Sequence, residues 1–327
     1  MIDIILATYN GERFLQQQLH SIQHNDQYHA LIGRVIIVDD GSKDDTYGIV
    51  QTAKATDSKI EWHQNRSGRS GAMANFAFGL SLSEAEHVML CDQDDVWLPE
   101  KIEQSASAVR EAEIKYGKKT PILVFSDKQI VDEKLNVLCE SYYSLKKISK
   151  QWHRSFESLS QQNVASGCTM LLNRALLEKA LPIPNQAYMH DWWIALVAAR
   201  CGVLAFIDKP LMLYRQHSCN TIGANQRKHW QLITQFSSQL AQFQQSFEQV
   251  VGQAKAFQQF EKDNQLTPNN TIATLADLHR LTRKARLMAL YQGVITRSNA
   301  AGKIALLITL LTLPVTRTAS HTKRKKA

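Results

Sequence analysis

The regular alternation of short apolar runs with amphipathic stretches over the first 90 residues is the feature that most limits the fold of this chain. Four runs rich in Val, Ile or Leu predict β-strands, at Ile4–Ala7, Val35–Val38, Lys59–His63 and Val88–Cys91. Helical spacing of apolar residues marks the stretches between them, at Glu12–Ile22, Asp44–Ala55 and Gly71–Ser83. This alternation predicts right-handed βαβ units, and hence an α/β fold with a mostly parallel central sheet.

Polar segments directly follow three of the predicted strands, at Thr8–Asn10, Asp39–Gly41 and Asp92–Asp95. Ligands of open α/β sheets bind outside the carboxyl ends of the strands. We therefore expect these three segments to lie along one edge of the sheet and to form the functional site.

Further elements are predicted downstream. We expect a helix from Pro99 to about Tyr116, a strand at Ile122–Phe125 and a mobile loop over the site at 140–165. The remaining expected elements are a strand at Val164–Leu172, a helix at Met189–Arg200, and strands at Val203–Ile207 and Leu211–Tyr214.

The cysteines and the N-terminus indicate a cytoplasmic protein. The five cysteines are scattered and include no C-x-x-C pair, at Cys91, Cys139, Cys168, Cys201 and Cys219. That pattern favours reduced thiols over a disulfide framework or a zinc site. The chain begins with an apolar run that lacks a basic segment and a cleavage site, so we predict a buried strand there and not a signal peptide.

Charge is divided unevenly along the 327 residues, whose net charge is +8. Residues 1–224 hold 23 Lys+Arg and 26 Asp+Glu, a net charge of −3, whereas residues 225–327 hold 15 and 4, a net charge of +11. A basic C-terminal part indicates an anionic partner, either nucleic acid or the cytoplasmic leaflet of a membrane. Its aromatic residues are not interleaved with the basic ones, so we expect no nucleic acid.

The C-terminal part divides into a helical extension at 225–300 and an apolar segment with a basic tail at 301–327. Apolar residues from Ile233 to Phe257 recur every three or four positions, which predicts packing on a neighbouring helix at 272–295; a dimer seam is the alternative. Residues 304–315 are apolar all round but too short to span a bilayer. With the basic run Lys323–Lys326, they indicate either an anchor at a membrane surface or a terminal core helix.

The strongest chemical signal is the acidic turn Asp92-Gln93-Asp94-Asp95. Three neighbouring carboxylates repel one another unless a cation neutralises them, and Mg²⁺ or Mn²⁺ prefers carboxylate and phosphate oxygens. In an extended segment Asp92 and Asp94 point to the same side. An acidic turn that caps the following helix is the alternative.

A second acidic turn, Asp39-Asp40-Gly41-Ser42, follows another strand, and a carboxylate there can accept hydrogen bonds from a base or ribose. The sequence contains neither G-x-G-x-x-G after the first strand nor G-x-x-x-x-G-K-[ST]. Both absences disfavour dinucleotide-dependent oxidoreduction and P-loop phosphoryl transfer.

Three motifs together resemble the family 2 glycosyltransferases in order and spacing, at Ile5–Glu12, Val38–Thr46 and Asp92–Trp97. The likeness extends over residues 1 to about 220 and implies the nucleotide-sugar-binding fold called GT-A, in a catalytic domain at 1–224. The family's chemistry is metal-assisted sugar transfer with inversion at the anomeric carbon. The pairing of His190-Asp191-Trp192-Trp193 with Tyr214-Arg215-Gln216-His217 is similar to that of bacterial rhamnosyltransferases of surface polysaccharides.

The resemblance implies a role for each matching residue. The donor, a dTDP- or UDP-sugar, would be bound by Thr8, Tyr9, Glu12, Asp39, Asp40, Arg69, Asp92 and Asp94. The family usually carries an arginine where this chain has Ala74, and we expect Arg69 to substitute for it. Asp94 and His217 would hold Mg²⁺ or Mn²⁺. Asp191 would be the general base for the acceptor, a saccharide or lipid-linked sugar, which Trp97, Gly167, Trp192 and Trp193 would contact.

Each assignment has an alternative. The alternative role is a helix cap for Asp191, a loop histidine for His217 and core aromatics for the three tryptophans. For the whole chain, the alternatives are a nucleotidyltransferase that makes activated sugars and a non-catalytic module that binds an anionic surface. The first would carry a Gly-rich basic loop after strand one, whereas this chain has Ala7–Glu12 there.

Overall fold

The computed structural model describes residues 1–217 and 236–315. Two compact units divide the chain: an N-terminal unit of Met1–Leu159 and Asn163–Gln226, and a C-terminal unit of Ser160–Gln162 and Arg227–Ala327. The domain boundary that the sequence predicts at 224 lies outside the described residues. So do Cys219, Ile233 and the basic run Lys323–Lys326.

The N-terminal unit alternates strands and helices as the sequence predicts. Its strands are β1 (Ile2–Thr8), β2 (Ile32–Asp39), β3 (Ile60–Gln64), β4 (His87–Asp92), β5 (Val96–Trp97), β6 (Ile122–Val131), β7 (Val137–Cys139), β8 (Met170–Asn173) and β9 (Val203–Arg215). Its helices are α1 (Leu15–Gln23), α2 (Tyr28–Leu31), α3 (Thr46–Thr56), α4 (Ala72–Leu82), α5 (Lys101–Tyr116), α6 (Tyr142–Lys146), α7 (Phe156–Leu159), α8 (Arg174–Ala180) and α9 (His190–Cys201), with short 3₁₀ turns at Trp152–Arg154 and Gly167–Thr169.

The strands form one sheet in the order β3-β2-β1-β4-β8-β6-β9-β5, with β7 paired to β6. The long pairings are parallel: β1 with β2 and β4, β2 with β3, and β6 with β9. β8 runs antiparallel to both of its neighbours, β4 and β6, so β6 and β9 point the same way as β1–β4. The mostly parallel α/β sheet is confirmed, and the carboxyl ends of six strands meet at one edge, the carboxyl edge.

Helices on the sheet explain why its central strands are continuously apolar. Ile4, Ile5 and Leu6 are all fully buried, as expected for a parallel strand covered on both faces. Gly79 of α4 allows a close approach on one face, because a Cβ there would lie 2.4 Å from Cγ2 of Ile5. This close packing fixes the position of α4 on the sheet.

Two sequence predictions fail in the middle of the chain. The segment 140–165 is not an open loop: it contains two helices and a 3₁₀ turn, and it buries Tyr143, Leu159 and Val164. The hydroxyl of Tyr143 donates to the carbonyl of Val164 at 3.0 Å. These apolar residues are irregularly spaced, so periodicity missed them. The strand expected at Val164–Leu172 begins only at Met170, after a 3₁₀ turn.

The C-terminal unit is helical, with α10 (Phe236–Asp263), α11 (Asn270–Ala276), α12 (Arg283–Tyr291) and α13 (Ala300–Thr312). The described part of the apolar stripe is buried along α10 at Phe247, Val250, Ala254 and Phe257, and α10 packs on α11. The helix expected at 272–295 is two helices, because the Thr282 side chain accepts a hydrogen bond from Ala285 N and caps a new one. No helix in the described residues is long and apolar enough to cross a membrane.

Candidate functional site

Reciprocal hydrogen bonds join the loops after β1 and β2 at the carboxyl edge. Asn10 N donates to Ser42 Oγ at 2.8 Å, and Lys43 N donates to Asn10 Oδ1 at 2.9 Å. Glu12 N donates to Asp44 Oδ2 at 2.9 Å, while Glu12 Oε2 accepts from a backbone amide of the same loop at 3.0 Å. The first two polar segments therefore form one surface, and the described contacts of Glu12 hold this surface together.

Asp39 closes its own turn. Its Oδ2 accepts from Gly41 N and Ser42 N, both at 2.8 Å, and its Oδ1 accepts from the hydroxyls of Thr8 and Ser42. A carboxylate has about four acceptor positions, and these contacts fill them. Asp39 and Thr8 are also buried, and their predicted contacts with a base or ribose stay a prediction. Asp40 is partly exposed, and its Oδ2 accepts only Gly71 N among the contacts of the described residues.

The side chain of Gln93 joins the acidic turn to the loop after β1. The sequence did not predict this role for Gln93. Its side-chain amide forms two hydrogen bonds with the backbone of Tyr9: Oε1 accepts from Tyr9 N at 2.9 Å and Nε2 donates to Tyr9 O at 3.1 Å. Gly11 leaves room for this pairing, because a Cβ there would lie 2.4 Å from Gln93 Oε1. The Tyr9 side chain itself is 54% exposed.

Asn75 is a second buried amide that the sequence analysis passed over. From α4 its Nδ2 donates to the carbonyls of Thr8 and Val38, at 3.1 and 3.3 Å, where β1 and β2 end. Its Oδ1 accepts a hydrogen bond from Asn65 Nδ2, which also donates to the carbonyl of Arg69. Arg69 is exposed on the loop between β3 and α4, whereas Ala74 beside Asn75 is buried.

Asp94 and His217 come together from distant parts of the chain. Asp94 Oδ2 lies 2.7 Å from His217 Nε2, and the imidazole packs on the ring of Phe14. β9 runs parallel to β6, so its end delivers His217 to the carboxyl edge. A carboxylate oxygen and an imidazole nitrogen are both ligands of divalent cations, so this pair fits the predicted metal site.

Arg215 supports the acidic turn from beneath. Its buried guanidinium donates from Nε to Asp94 O at 2.8 Å, and to Gln17 Oε1 at 2.6 Å and Glu133 O at 2.7 Å. Its backbone N donates to Oδ1 of the fully buried Asp95 at 3.1 Å. The protein itself therefore neutralises part of the negative charge of the acidic turn, a role that the sequence predicted for a metal ion.

Asp92, Asp95 and Cys168 form another cluster of ligand-type atoms, which lie within 4.8 Å of one another. Desolvation, followed by the charge of Asp94, raises the pKa of Asp92 to about 7. Burial raises the pKa of the Cys168 thiol, and sulfur is a poor ligand for Mg²⁺ and Mn²⁺, which prefer oxygen ligands. The ammonium of buried Lys128 lies 4.0 Å from Cys168 Sγ. A cation therefore fits better at Asp94 and His217 than in this cluster.

Asp191 is held by two backbone amides at the start of α9. Its Oδ2 accepts from Gly167 N at 3.0 Å and its Oδ1 from Trp192 N at 2.6 Å. A Cβ at Gly167 would lie 2.8 Å from Nε2 of His190, a buried ring that stacks on Phe76. The charge of Asp191 also raises the pKa of Asp92, after desolvation and Asp94, which places both carboxylates in one electrostatic environment.

The predicted acceptor-binding aromatic residues lie in the core. Trp97, Trp192 and Trp193 are only 3%, 5% and 3% exposed. The indole N–H of Trp192 donates to Leu159 O at 2.7 Å, and that of Trp193 donates to Ala180 O at 2.9 Å. Their contact with an acceptor sugar stays a prediction, and it would require these nearly buried rings to become exposed. Gly167, the fourth residue predicted to contact the acceptor, donates its backbone N–H to Asp191 Oδ2.

Comparisons with known proteins agree with this geometry. Residues 3–118 match the family model described as glycosyl transferase family 2. The chain is 28% identical over 235 residues to the dTDP-rhamnosyl transferase RfbG of Shigella flexneri, an alignment that covers 67% of this chain and 74% of that protein.

Two solved structures share the fold. S. aureus TarS 1-349 in complex with UDP-GlcNAc has a TM-score of 0.56 and 14% identity, over 94% of this chain and 90% of that one. The mannosyltransferase PcManGT from Pyrobaculum calidifontis, in complex with GDP-Man and Mn²⁺, has a TM-score of 0.53 and 14% identity, over 95% and 87%. The expected GT-A fold is confirmed. With motifs, fold and relatives in agreement, residues 3–118 carry a family 2 glycosyltransferase domain.

Proposed function

We propose that this glycosyltransferase is inverting and metal-dependent, and that it transfers rhamnose from a dTDP-linked donor, with UDP-sugars as the alternative donors. Its acceptor is a saccharide or lipid-linked sugar of a cell-surface polysaccharide. The observation that carries the proposal is the approach of Asp94 Oδ2 to His217 Nε2 at the edge where Asp191 is also held.

Asp94 and His217 would hold the cation, Mg²⁺ or Mn²⁺. When bound, such an ion supplies positive charge that stabilises a departing nucleoside diphosphate. The imidazole favours Mn²⁺ over the harder Mg²⁺. Arg215 fixes the position of Asp94 through its carbonyl, and Phe14 packs on the imidazole. The protein thus presents both ligands in a fixed arrangement.

Asp191 is the general base in this proposal. An inverting displacement needs one carboxylate to take the acceptor's proton and needs no enzyme nucleophile. Two backbone N–H groups orient the carboxylate of Asp191 at the start of α9. Its position at a helix cap, the alternative from the sequence, is compatible with this role, since one carboxylate can do both.

Three exposed or partly exposed residues at the carboxyl edge are the best candidates for donor contacts. Tyr9 offers a half-exposed ring for stacking on a base, and Asp40 offers the carboxylate that Asp39 cannot. Arg69 places a cation on the adjacent loop, where it can contact a phosphate. Thr8, Asp39 and Glu12 support these residues by fixing the two loops.

The choice of rhamnose rests on the relative RfbG, whose name states a dTDP-rhamnosyl transferase. The paired segments at 190–193 and 214–217 favour the same donor class. The nucleotidyltransferase alternative loses support from the family match, and the binding-module alternative requires a site that cannot transfer sugar.

Donor hydrolysis tests the proposal without knowledge of the acceptor. The purified chain is incubated with dTDP-rhamnose or a UDP-sugar and Mn²⁺, and NMR follows release of the sugar and its first anomer. We expect slow release from the dTDP donor with the opposite anomeric configuration, and loss of release in Asp191→Asn. Asp208→Asn is the matched control, since Asp208 is an exposed carboxylate paired with Lys150. Retention of configuration would contradict inversion, and unchanged release in Asp191→Asn would remove Asp191 as the base.

A further inference from the structure

The last described helix, α13, has two different apolar sides. Leu306 and Leu310 are fully buried in the C-terminal unit. The opposite side exposes large apolar side chains at Ile304 (57%), Leu307 (39%) and Leu311 (41%), and Val315 (39%) follows just beyond the end of the helix; we call these four residues the α13 face. Ile304, Leu307 and Leu311 are three or four residues apart, so they form one stripe along the helix. An exposed stripe of this kind marks an interaction site in a soluble protein.

A buried arginine fixes the α13 face in its outward orientation. Arg286 of α12 donates from Nη1 to Leu313 O at 2.7 Å and from Nη2 to Pro314 O at 2.9 Å. Its Nε donates to Leu278 O at 3.0 Å. The guanidinium therefore satisfies carbonyls at the C-terminal end of α13 and ties that end to α12. The exposed stripe belongs to a docked helix and not to a frayed end.

The sequence around this face carries only one sign of charge. No Asp or Glu follows Asp277, whereas the same 50 residues contain eleven Lys and Arg. Lys303 is exposed on α13, and Arg283 and Lys284 are exposed on α12. Apolar residues flanked by cations are complementary to the surface of an anionic bilayer.

We propose that the α13 face lies in the interfacial layer of an anionic membrane, with α13 parallel to the surface. The helix has 13 residues, too few to span a bilayer. Ile304, Leu307 and Leu311 enter the boundary between headgroups and acyl chains, and the surrounding cations contact anionic headgroups. This inference does not depend on the identity of the donor sugar, and it brings the enzyme to the surface where a lipid-linked acceptor would be found.

Two other occupants are less suitable. Residues 316–327 contain no apolar side chain larger than alanine, so they offer nothing to cover the face. A second copy would present the same cationic region to itself, at an electrostatic cost. We therefore treat self-association as an outcome of the test.

Flotation with lipid vesicles tests the proposal on the full chain. Vesicles of phosphatidylcholine alone are compared with vesicles that also contain phosphatidylglycerol. We expect the wild-type chain to float with the anionic vesicles and to bind the neutral ones at least tenfold more weakly. Leu307→Ser/Leu311→Ser should lower the partition coefficient on anionic vesicles at least tenfold. Replacement of Lys323, Arg324, Lys325 and Lys326 by Gln should lower it by roughly fivefold for each cation that reaches the surface.

The control variant is Ile114→Ser, which removes an apolar side chain that is 86% exposed on α5. It should float as the wild type does. Thermal melting and the nucleotide-induced shift of the Leu307→Ser/Leu311→Ser variant should match the wild type, which separates membrane binding from sugar transfer. The proposal is overturned if the Leu307→Ser/Leu311→Ser variant floats like the wild type or if the wild type does not bind anionic vesicles. It is also overturned if light scattering finds a dimer that this variant abolishes.

Discussion

The guanidinium Nε of Arg215 donates to the backbone carbonyl of Asp94 at 2.8 Å. This bond fixes the backbone of the acidic turn, while the Asp94 carboxylate remains directed at His217. The same arginine reaches α1 through Gln17, so three separate parts of the chain meet at one buried cation. We regard Arg215 as a positioning residue for the proposed metal ligands.

Arg215→Met should weaken cation binding as well as stability. The change leaves buried carbonyls without donors, and we expect a loss of about 2–4 kcal/mol in the free energy of unfolding. Mn²⁺ affinity, measured by titration in the presence of dTDP, should fall at least tenfold because Asp94 loses its support. Arg13→Met is the control, since Arg13 forms an exposed pair with Glu133. A variant of Arg215 that binds Mn²⁺ normally would show a purely structural role.

Gly167→Ala should lower kcat more than it affects donor binding. The new Cβ would lie 2.8 Å from Nε2 of the buried His190 ring, so this ring must shift at the start of α9, next to the proposed base Asp191. We expect kcat for donor hydrolysis to fall at least tenfold with the KM for the donor nearly unchanged.

A matched pair of variants separates this effect from general damage. Gly33→Ala, where the nearest atom to the new Cβ is a side-chain oxygen at 3.3 Å, should keep most of its kcat. Adding His190→Ala to Gly167→Ala removes the clash and should recover part of the lost kcat. Equal kcat values in Gly167→Ala and the wild type would contradict the role given to Asp191.

Gly11→Ala should weaken nucleotide binding. A Cβ there would lie 2.4 Å from Gln93 Oε1, so the paired hydrogen bonds between Gln93 and Tyr9 must break. We expect roughly tenfold weaker binding of dTDP, because ordering the released loop costs about 1–2 kcal/mol of the binding free energy. Isothermal titration measures it. Gln93→Leu should give a similar loss, and normal affinity in both variants would exclude this loop from the donor site.

Lys101 predicts a pH dependence of stability. Its ammonium is buried and donates to Cys168 O at 2.8 Å, and desolvation lowers its pKa to about 8 from the usual 10.5. Between these values the unfolded chain binds more protons than the folded one, so stability rises with pH through this window. The gain attributable to Lys101 is about 3 kcal/mol at most. Urea unfolding at pH 8 and pH 10 should show this rise in the free energy of unfolding for the wild type but not for Lys101→Met. An equal rise in both proteins would contradict the role given to Lys101.

The fold and the outline of the site follow from local patterns. Buried parallel strands are continuously apolar, so β1–β4 were predicted within two or three residues, and the polar turns after three of them indicated the edge. The approach of His217 to Asp94 came only from the family resemblance, because no local pattern connects residues so far apart. The reversed direction of β8, which brings Gly167 to the same edge, has no signature in the sequence either.

Side-chain roles were harder to predict than positions. Asp39 looks like a free carboxylate in the sequence, yet its own turn fills its acceptor positions. Trp192 and Trp193 look like sugar-stacking aromatics, yet the first turn of α9 is buried on nearly all sides. Gln93 and Asn75 have ordinary local sequences, and only the fold shows which carbonyls and amides they satisfy.

The most direct test of the central claim is the thermal midpoint of the chain with nucleotides, with and without Mn²⁺. Binding to the folded state raises the midpoint by mass action, so no acceptor is needed. Our account predicts a shift for dTDP or UDP species that requires Mn²⁺ and disappears in both Asp94→Asn and His217→Ala, while Asp208→Asn behaves as the wild type does. A metal-dependent shift that survives in both variants would contradict the assignment of Asp94 and His217, and a folded chain that responds to no nucleotide would contradict the proposed donor site.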